Sequence, residues 1–459
     1  MIKGDQDLKK TLTELNINQK KAIFTVMLSS FVDVLGYTLI FPLLPTIQGL
    51  FGAKYIIMGL IIAANPLAAL FFSPIWGRLS DKYGRKPILL ISQSGTLIAF
   101  LILATSPTIE IILFSRILDG IFGGQIPVLR AFITDATDES DRGIYMAKFM
   151  NAFLWGMIVG PAIGGFLGAI DWRLVAYFGA ILSGISIILT ITILVETMPK
   201  ERIKWMQQQI TLTKDKKKEK MLTKAFLILM ITFLLITFAH NIYANAVTFI
   251  LNDRVGATPM TIGILMVVSG ILFFIFTMKL YEPLYKKFGE KKLTLSAFLV
   301  IIVSFLIFPF LDQLWMFFVF LIPFSYSIAI LIPAVQMKIT FAAPQTRQGE
   351  TSGWITVGQS IADITAPLLA TYYLGLGALL IFDSYMLIGF STSLLFLIAF
   401  IIMVAAGKKG GTDTMTQMMQ GGQSEEEMIN MMEMMQNGQT NDQMKEVIKN
   451  IEKSDKSDK

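Results

Sequence analysis

Apolar runs recur along nearly the whole chain and constrain it more than any other feature. A helix needs roughly 20 apolar residues to cross about 30 Å of hydrocarbon, so one such run makes an anchor and many evenly spaced runs make a bundle. Hydropathy and polar breaks place twelve runs, near 22–44, 55–75, 87–105, 108–129, 144–170, 172–195, 225–250, 258–280, 292–311, 314–337, 353–376 and 380–406. With 54% of residues hydrophobic and 16% charged, a water-soluble core could not hide this surface, and the bilayer must act as solvent. The expected fold is an all-α membrane protein of twelve transmembrane helices. Cysteine is absent, which excludes disulfides and thiolate metal sites, and the single histidine, His240, leaves little for metal or triad chemistry. No metal, cofactor, catalytic group or nucleic-acid partner is expected. The hydrophilic stretch Met1 to Lys20 lacks a cleavable signal pattern, so the first span reads as an uncleaved signal anchor.

Charge between the runs alternates in a way that sets orientation. Lys20, Lys21, Arg78, Arg85, Arg142, Lys286, Arg347 and Lys408 fall on one side, and only Lys54, Arg173 and Arg254 on the other. The positive-inside rule then makes both termini cytoplasmic in a cell membrane, which agrees with an even number of spans. The longest internal break, 197–224, is rich in Lys and Arg and divides the spans six and six. Adhesion to anionic headgroups, about 1 kcal/mol per basic residue, accounts for such a run. The expected organisation is a cytoplasmic segment 1–20, a six-helix bundle 21–196, a basic linker 197–224, a second bundle 225–406 and a Met-rich tail 407–459.

The halves repeat one another. Gly52, Ala53 and Gly59 recur as Gly256, Ala257 and Gly263, an offset of 204; Gly84 recurs as Gly289, offset 205; Gly143 and Pro161 recur as Gly349 and Pro367, offset 206. Glycine and proline at matched depth mark close helix approach or bending, and a duplicated six-helix unit with a cavity between pseudo-symmetric bundles follows.

Six stretches carry a family resemblance. The loop after the second span, Gly77-Arg-Leu-Ser-Asp81-Lys-Tyr-Gly84-Arg85-Lys-Pro, resembles the signature of the major facilitator superfamily. There Gly77 and Gly84 allow packing and a turn while Asp81 and Arg85 form charge-assisted pairs; the resemblance implies a cytoplasmic gate latching the bundles together. In the second half Lys286 replaces the acid, which makes the latch asymmetric. The fourth span, with Arg116, Asp119, Gly120 and Gly124, looks like the family's second motif, although Asp119 stands where a neutral polar residue is more usual. Gly156, Gly160, Pro161, Gly164 and Gly165 in the fifth span resemble the motif found mainly in antiporters; at three- and four-residue spacing they make a smooth helix face. Asp33 to Tyr37 running on to Pro42 and Pro45, Asp135 after the fourth span, and Asp171-Trp-Arg173 together resemble the tetracycline and multidrug exporters of that superfamily. The implied activity is proton-coupled export of small amphiphilic molecules by a monomer.

An ionised side chain at mid-bilayer costs about 2.5–3.5 kcal/mol even on a lenient scale, so intramembrane charges face a cavity or a partner. Asp33, Arg116, Asp119 and Asp363 are such residues, and they are the candidates for proton coupling: Asp33 as main carrier, Arg116 as its coupling partner, Asp119 as local counter-ion of Arg116. For Asp33, helix packing and direct substrate contact are the alternatives; for Asp363, function and packing weigh equally. Tyr37, Asn241, Asn245 and Gln359 form polar stripes that can line a substrate cavity or make interhelical hydrogen bonds, and His240 reads as a structural hydrogen bonder. In the tail, Met428 to Met435 and Met444 to Ile451 repeat at helical spacing, suggesting two short amphipathic helices. An uptake symporter for a sugar, organic acid or osmolyte, and a lipid flippase of the same fold, are the competing functions. A channel would show rings of charge, and the charges here are single.

Overall fold

The computed structural model of the chain describes residues 19–137, 139–197, 223–343, 347–376 and 384–410. Most of the expected linker and nearly all of the expected tail therefore lie outside the described residues. Among those described, the chain is helical throughout: α1 (Gln19–Thr38), α2 (Leu44–Phe51), α3 (Tyr55–Tyr83), α4 (Arg85–Ala104), α5 (Ile109–Gly123), α6 (Ile126–Ala136), α7 (Glu139–Gly168), α8 (Trp172–Thr192), α9 (Lys224–Val255), α10 (Pro259–Ile275), α11 (Tyr281–Ile307), α12 (Leu314–Ala342), α13 (Gln348–Leu376) and α14 (Ser384–Gly410). The chain divides into two compact units, Met1–Phe400 and Ile401–Lys459; of the second, only the last residues of α14 are described.

Among the described residues, ten segments are long and apolar enough to cross a membrane. One of them, Pro259–Phe310, is 52 residues long and contains both α10 and α11, joined through a π-helical turn at Phe276–Leu280 and a non-helical residue, Gly289. The other departure from the expected twelve is α13, 29 residues long but interrupted by Gln359, Asp363 and several Ser and Thr. Large apolar side chains such as Phe71, Ile181 and Leu394 are exposed on the protein, the surface a bilayer covers.

Two expected spans are broken where proline and glycine interrupt hydrogen bonding. The first ends at Thr38; Pro42 then starts a 3-10 turn, Phe41–Leu43, and α2 follows with Pro45 in its first turn. The fourth, expected as one helix over 108–129, is two, α5 and α6, separated at Gly124 and Gln125, with Pro127 opening α6. The break turns Gln125 toward Asp33.

Helix pairs pack within and across the halves: α1 on α7, α4 on α8 and α3 on α5 in the first; α9 on α13 and α11 on α12 in the second; α3 on α13 and α7 on α10 between them. The sequence repeat reappears as geometry. The glycines with positive φ among the described residues are Gly52, Gly84, Gly256 and Gly289, two pairs at the repeat offset. Gly52 and Gly256 end α2 and α9 in the left-handed conformation, with φ of 59° and 63°.

The seams between halves are related in the same way. A Cβ at Gly59 would lie 3.1 Å from the Pro367 carbonyl, and one at Gly263 would lie 2.6 Å from the Pro161 carbonyl. Gly59 with Gly263, and Pro161 with Pro367, are the repeat pairs, so each half offers its glycine to the other half's proline turn.

Candidate functional site

Asp33, just over a turn from the end of α1, accepts a hydrogen bond from Gln125 Nε2 at 3.2 Å. Across the α5 glycine face, a Cβ built on Gly123 would sit 3.6 Å from Asp33 Oδ1, 3.9 Å from Asp119 Oδ1 and 4.0 Å from Thr96 Oγ1. The missing side chain is thus what leaves two carboxylates facing one small space.

Asp119 is held from the other side. Its Oδ2 accepts from Asn65 Nδ2 at 2.7 Å and from Arg116 Nη1 at 3.3 Å, and both Arg116 and Asp119 are buried. Asn65 reaches Asp119 because Gly120 lets α5 lie on the α3 backbone: a Cβ there would meet the Asn65 carbonyl and Ala68 Cβ. The Arg116 guanidinium lies over the Phe100 ring, 5.3 Å from its centroid, while its Nε and Nη2 have no partner among the described residues. An unsatisfied guanidinium beside two acids can pair with whichever carboxylate, or substrate anion, comes within reach.

The second half contributes Asp363 on α13, whose Oδ1 accepts from Asn241 Nδ2 at 2.6 Å. Asn245 donates to the Asn241 carbonyl at 2.7 Å, so in the polar stripe of α9 Asn245 bonds within its own helix while Asn241 reaches α13. Tyr37 is partly exposed, edge-on to Phe41 at 5.3 Å, and lies within electrostatic range of Asp363, Asp119 and Arg116. Gln359 is exposed, one turn from Asp363. His240 stacks on Phe324 at 5.6 Å with its Nδ1 unpartnered among the described residues.

At the basic face, Arg85 is buried and donates to Asp81 at 2.6 Å, to Ser80 Oγ at 2.6 Å and to Asp135 at 3.0 Å. Glu196 accepts from the backbone N–H groups of Arg85 and Lys86 at 2.8 and 3.0 Å, capping α4 at Gly84, whose φ is 103°. All these partners belong to the first half. Gly77 approaches only Pro127, and the matching Lys286 pairs with Glu282 at 2.7 Å on an exposed surface. At the opposite face the halves are tied: Tyr55 Oη donates to Asp253 at 2.6 Å.

The glycines of α7 serve two neighbours. Gly156, Gly160 and Gly164 seat α1, where Cβ atoms would meet the carbonyls of Phe31, Leu35 and Leu39, and Thr38 Oγ1 donates to the Gly156 carbonyl at 3.2 Å. Gly165 and the Pro161 carbonyl seat α10 at Gly263. Reading the sequence brought out the acids and these glycines but missed Asn65, Gln125 and Tyr55; a polar residue beside Pro66, and one between Gly124 and Pro127, were the signals for the first two.

Residues 26–367 match the sequence profile of the Major Facilitator Superfamily. The chain belongs to that superfamily. It is a multi-pass membrane transporter, not an enzyme. The class H tetracycline resistance protein of Pasteurella multocida is 28% identical over 355 residues, covering 77% of this chain and 88% of that protein. Multidrug resistance protein 2 of Bacillus subtilis is 28% identical over 283 residues, covering 61% and 70%. Among solved structures, a bacterial homologue of the human lysosomal transporter Spinster, inward-facing and occupied, superposes with a TM-score of 0.68 at 14% identity, covering 84% of this chain and 96% of that one. The human organic anion transporter MFSD10 (TETRAN) superposes at 0.60 and 19% identity, covering 84% and 99%. These two likenesses establish the facilitator fold alone.

Proposed function

We propose that this superfamily member exports small amphiphilic, drug-like molecules in exchange for protons by alternating access. The observation that carries the reading is the convergence of Asp33 and Asp119 on the space left by Gly123, with Arg116 bound to one of them. Two acids close together in a poorly solvated site do not both ionise readily, and a fixed cation beside them decides which one gives up its proton. Substrate arrival at Tyr37 and Asp363 changes the electrostatic surroundings of that pair, which is the coupling an exchanger needs. Moving one proton down about 100 mV supplies roughly 2.3 kcal/mol, enough for a gradient of nearly fiftyfold in a neutral substrate.

The substrate class rests on the tetracycline and multidrug resistance proteins among its relatives. Solved structures of an organic anion transporter, a peptide transporter and a nucleoside transporter share the fold, so the fold does not choose the cargo. The working unit we infer is a monomer in the plasma membrane with both termini cytoplasmic. Counting α10 and α11 separately and including α13 gives twelve spans in two six-helix bundles. The seams Gly59 to Pro367 and Gly263 to Pro161, with the Tyr55–Asp253 bond, close the Lys54 face, while Asp81 and Arg85 pair within the first half; the conformation is then inward-facing, with the cytoplasmic latch released.

The test is transport of fluorescent cationic dyes and a tetracycline in proteoliposomes under an imposed pH gradient. Wild type moves them with the gradient and Asp33→Asn does not. Movement of none of these compounds shifts the reading to a symporter or a lipid flippase.

A further inference from the structure

Arg130 takes no part in the proton site or in the network at the basic face. It lies on α6, whose buried side is apolar, formed by Val128, Leu129, Phe132, Ile133 and Ala136. The opposite side carries Pro127, Arg130, Ala131 and Thr134 at helical spacing, and Pro127 and Arg130 are exposed. The helix packs on α1, α3, α4 and α7, all of the first half. An arginine turned to hydrocarbon within a span is costly, so this side of α6 faces the water-filled space between the halves rather than lipid. Arg130 stands five residues before Asp135, which places it roughly 7.5 Å inside the basic face.

Its surroundings supply thioethers and a second cation. Arg130 Nη2 approaches Met150 Sδ of α7 at 3.8 Å, and no carboxylate pairs with Arg130 among the described residues. Arg142, Met146 and Met150 follow one another at four-residue spacing along α7. Arg142 Nη2 reaches the Thr134 carbonyl at 3.5 Å, and Thr134 Oγ1 donates to the Arg130 carbonyl at 3.0 Å, so the two arginines meet the same turn of α6. Arg142 Nε is buried without a hydrogen-bond partner among the described residues. The acid nearest to Arg130 in sequence, Asp135, is already held by Arg85 at 3.0 Å. A guanidinium with free N–H groups takes a carboxylate, sulfonate or phosphate through two parallel bonds, and methionine adapts to whatever apolar body comes with it.

We propose that Arg130, assisted by Arg142, is a cytoplasmic entry subsite for an anionic group of the cargo, with Met150 against its apolar part, so that the molecules exported include amphiphilic organic anions. The inference rests on the inward-facing exporter reading above and names a charge that its cargo carries. A neutral amphiphile gains the thioether contact alone, so the arginines set a preference by charge. An anionic lipid headgroup offers the same chemistry, and the test separates the two sources.

The test measures pH-driven transport by the full chain in phosphatidylcholine vesicles with two fluorescent probes of similar shape, anilinonaphthalene sulfonate and phenylnaphthylamine, which lacks the sulfonate. Wild type is expected to move both, with half-saturation for the sulfonate about tenfold lower. That preference, read as the ratio of the two half-saturating concentrations, should vanish in Arg130→Gln and fall severalfold in Arg142→Gln. Arg130→Lys keeps the charge without the planar fork and should retain part of it. Thermal unfolding in detergent checks that each variant folds. A preference in Arg130→Gln equal to that of wild type, or none in wild type, overturns this inference and leaves the exporter reading standing. Movement of neither probe, nor of the cationic dyes and the tetracycline, overturns both. An effect of Arg130→Gln that is equal for the two probes and appears only when phosphatidylglycerol is added assigns the arginines to a lipid headgroup and overturns the cargo inference.

Discussion

In the first half of the chain the buried interior is polar at Gln93, Arg116, Asp119 and Gln125, beside a half-buried Asp33; in the second it is aromatic, with Tyr243 at 4.6–5.4 Å from the rings of Phe305, Phe308, Phe320 and Phe324. His240 stacks into that cluster, and among the described residues Asp363 is the acid of that half bonded inside a span. Yet the turns and crossings of the two halves coincide, through the paired left-handed glycines and the reciprocal contacts of Gly59 and Gly263. The difference teaches that the two kinds of residue answer to different demands. A rocking seam needs the same close approach on both sides of the pseudo-symmetry axis, whereas a proton site is needed once. One half is free to bury charge while the other packs rings against one another.

The sharpest way to break this comparison is Arg116→Ala. It leaves Asp119 buried without its cation, which costs on the order of 3–5 kcal/mol for a broken buried pair, and abolishes transport. Thermal unfolding followed in detergent, with Asp363→Asn beside it, measures the asymmetry; a smaller loss in Arg116→Ala than in Asp363→Asn would invert it.

The seam is tested next. Gly263→Val places a side chain against the Pro161 carbonyl and the Gly165 backbone, so the Lys54 face cannot close as described. Transport is expected to fall at least tenfold while membrane expression persists, and spin-label distances across the seam should lengthen. Gly59→Val, its repeat partner, should give the same shift. Tyr55→Phe removes one partly exposed hydrogen bond, worth about 0.5–1 kcal/mol, and should raise the outward-open population a few fold in the same distance measurement. The smallest effects separate conformation from space: Gly256→Ala, in open surroundings but at φ 63°, should lose about 1 kcal/mol, and Gly349→Ala, also in open surroundings and helical, nothing measurable.

How much of this could be read from sequence divides by physical cause. Hydropathy located the helices because lipid allows no other way to satisfy the backbone, and the repeat was visible because glycine is hard to replace at φ above zero. The ten segments that pass on length and composition fall short of twelve where α13 carries Gln359 and Asp363 and where α10 runs into α11. Asp33, Arg116 and Asp119 stood out because each violates the apolar rule. Their association was an expectation too, but the Gln125 bond to Asp33 was not, since it depends on the break at Gly124 and Gln125, which hydropathy averages into one span. Asn65, Gln125 and Tyr55 were passed over for another reason: a neutral polar residue in a span is cheap, so even the signals at Pro66 and Pro127 carry little weight until a hydrogen-bond partner is known.

The central claim is that the exchangeable proton resides in the first half, at Asp33 beside Asp119 and Arg116. Proton release on substrate binding, followed with a pH indicator in weakly buffered detergent solution, tests it most directly. Wild type and Asp363→Asn should release protons when substrate is added and Asp33→Asn should be silent; release that persists in Asp33→Asn and vanishes in Asp363→Asn would contradict the account.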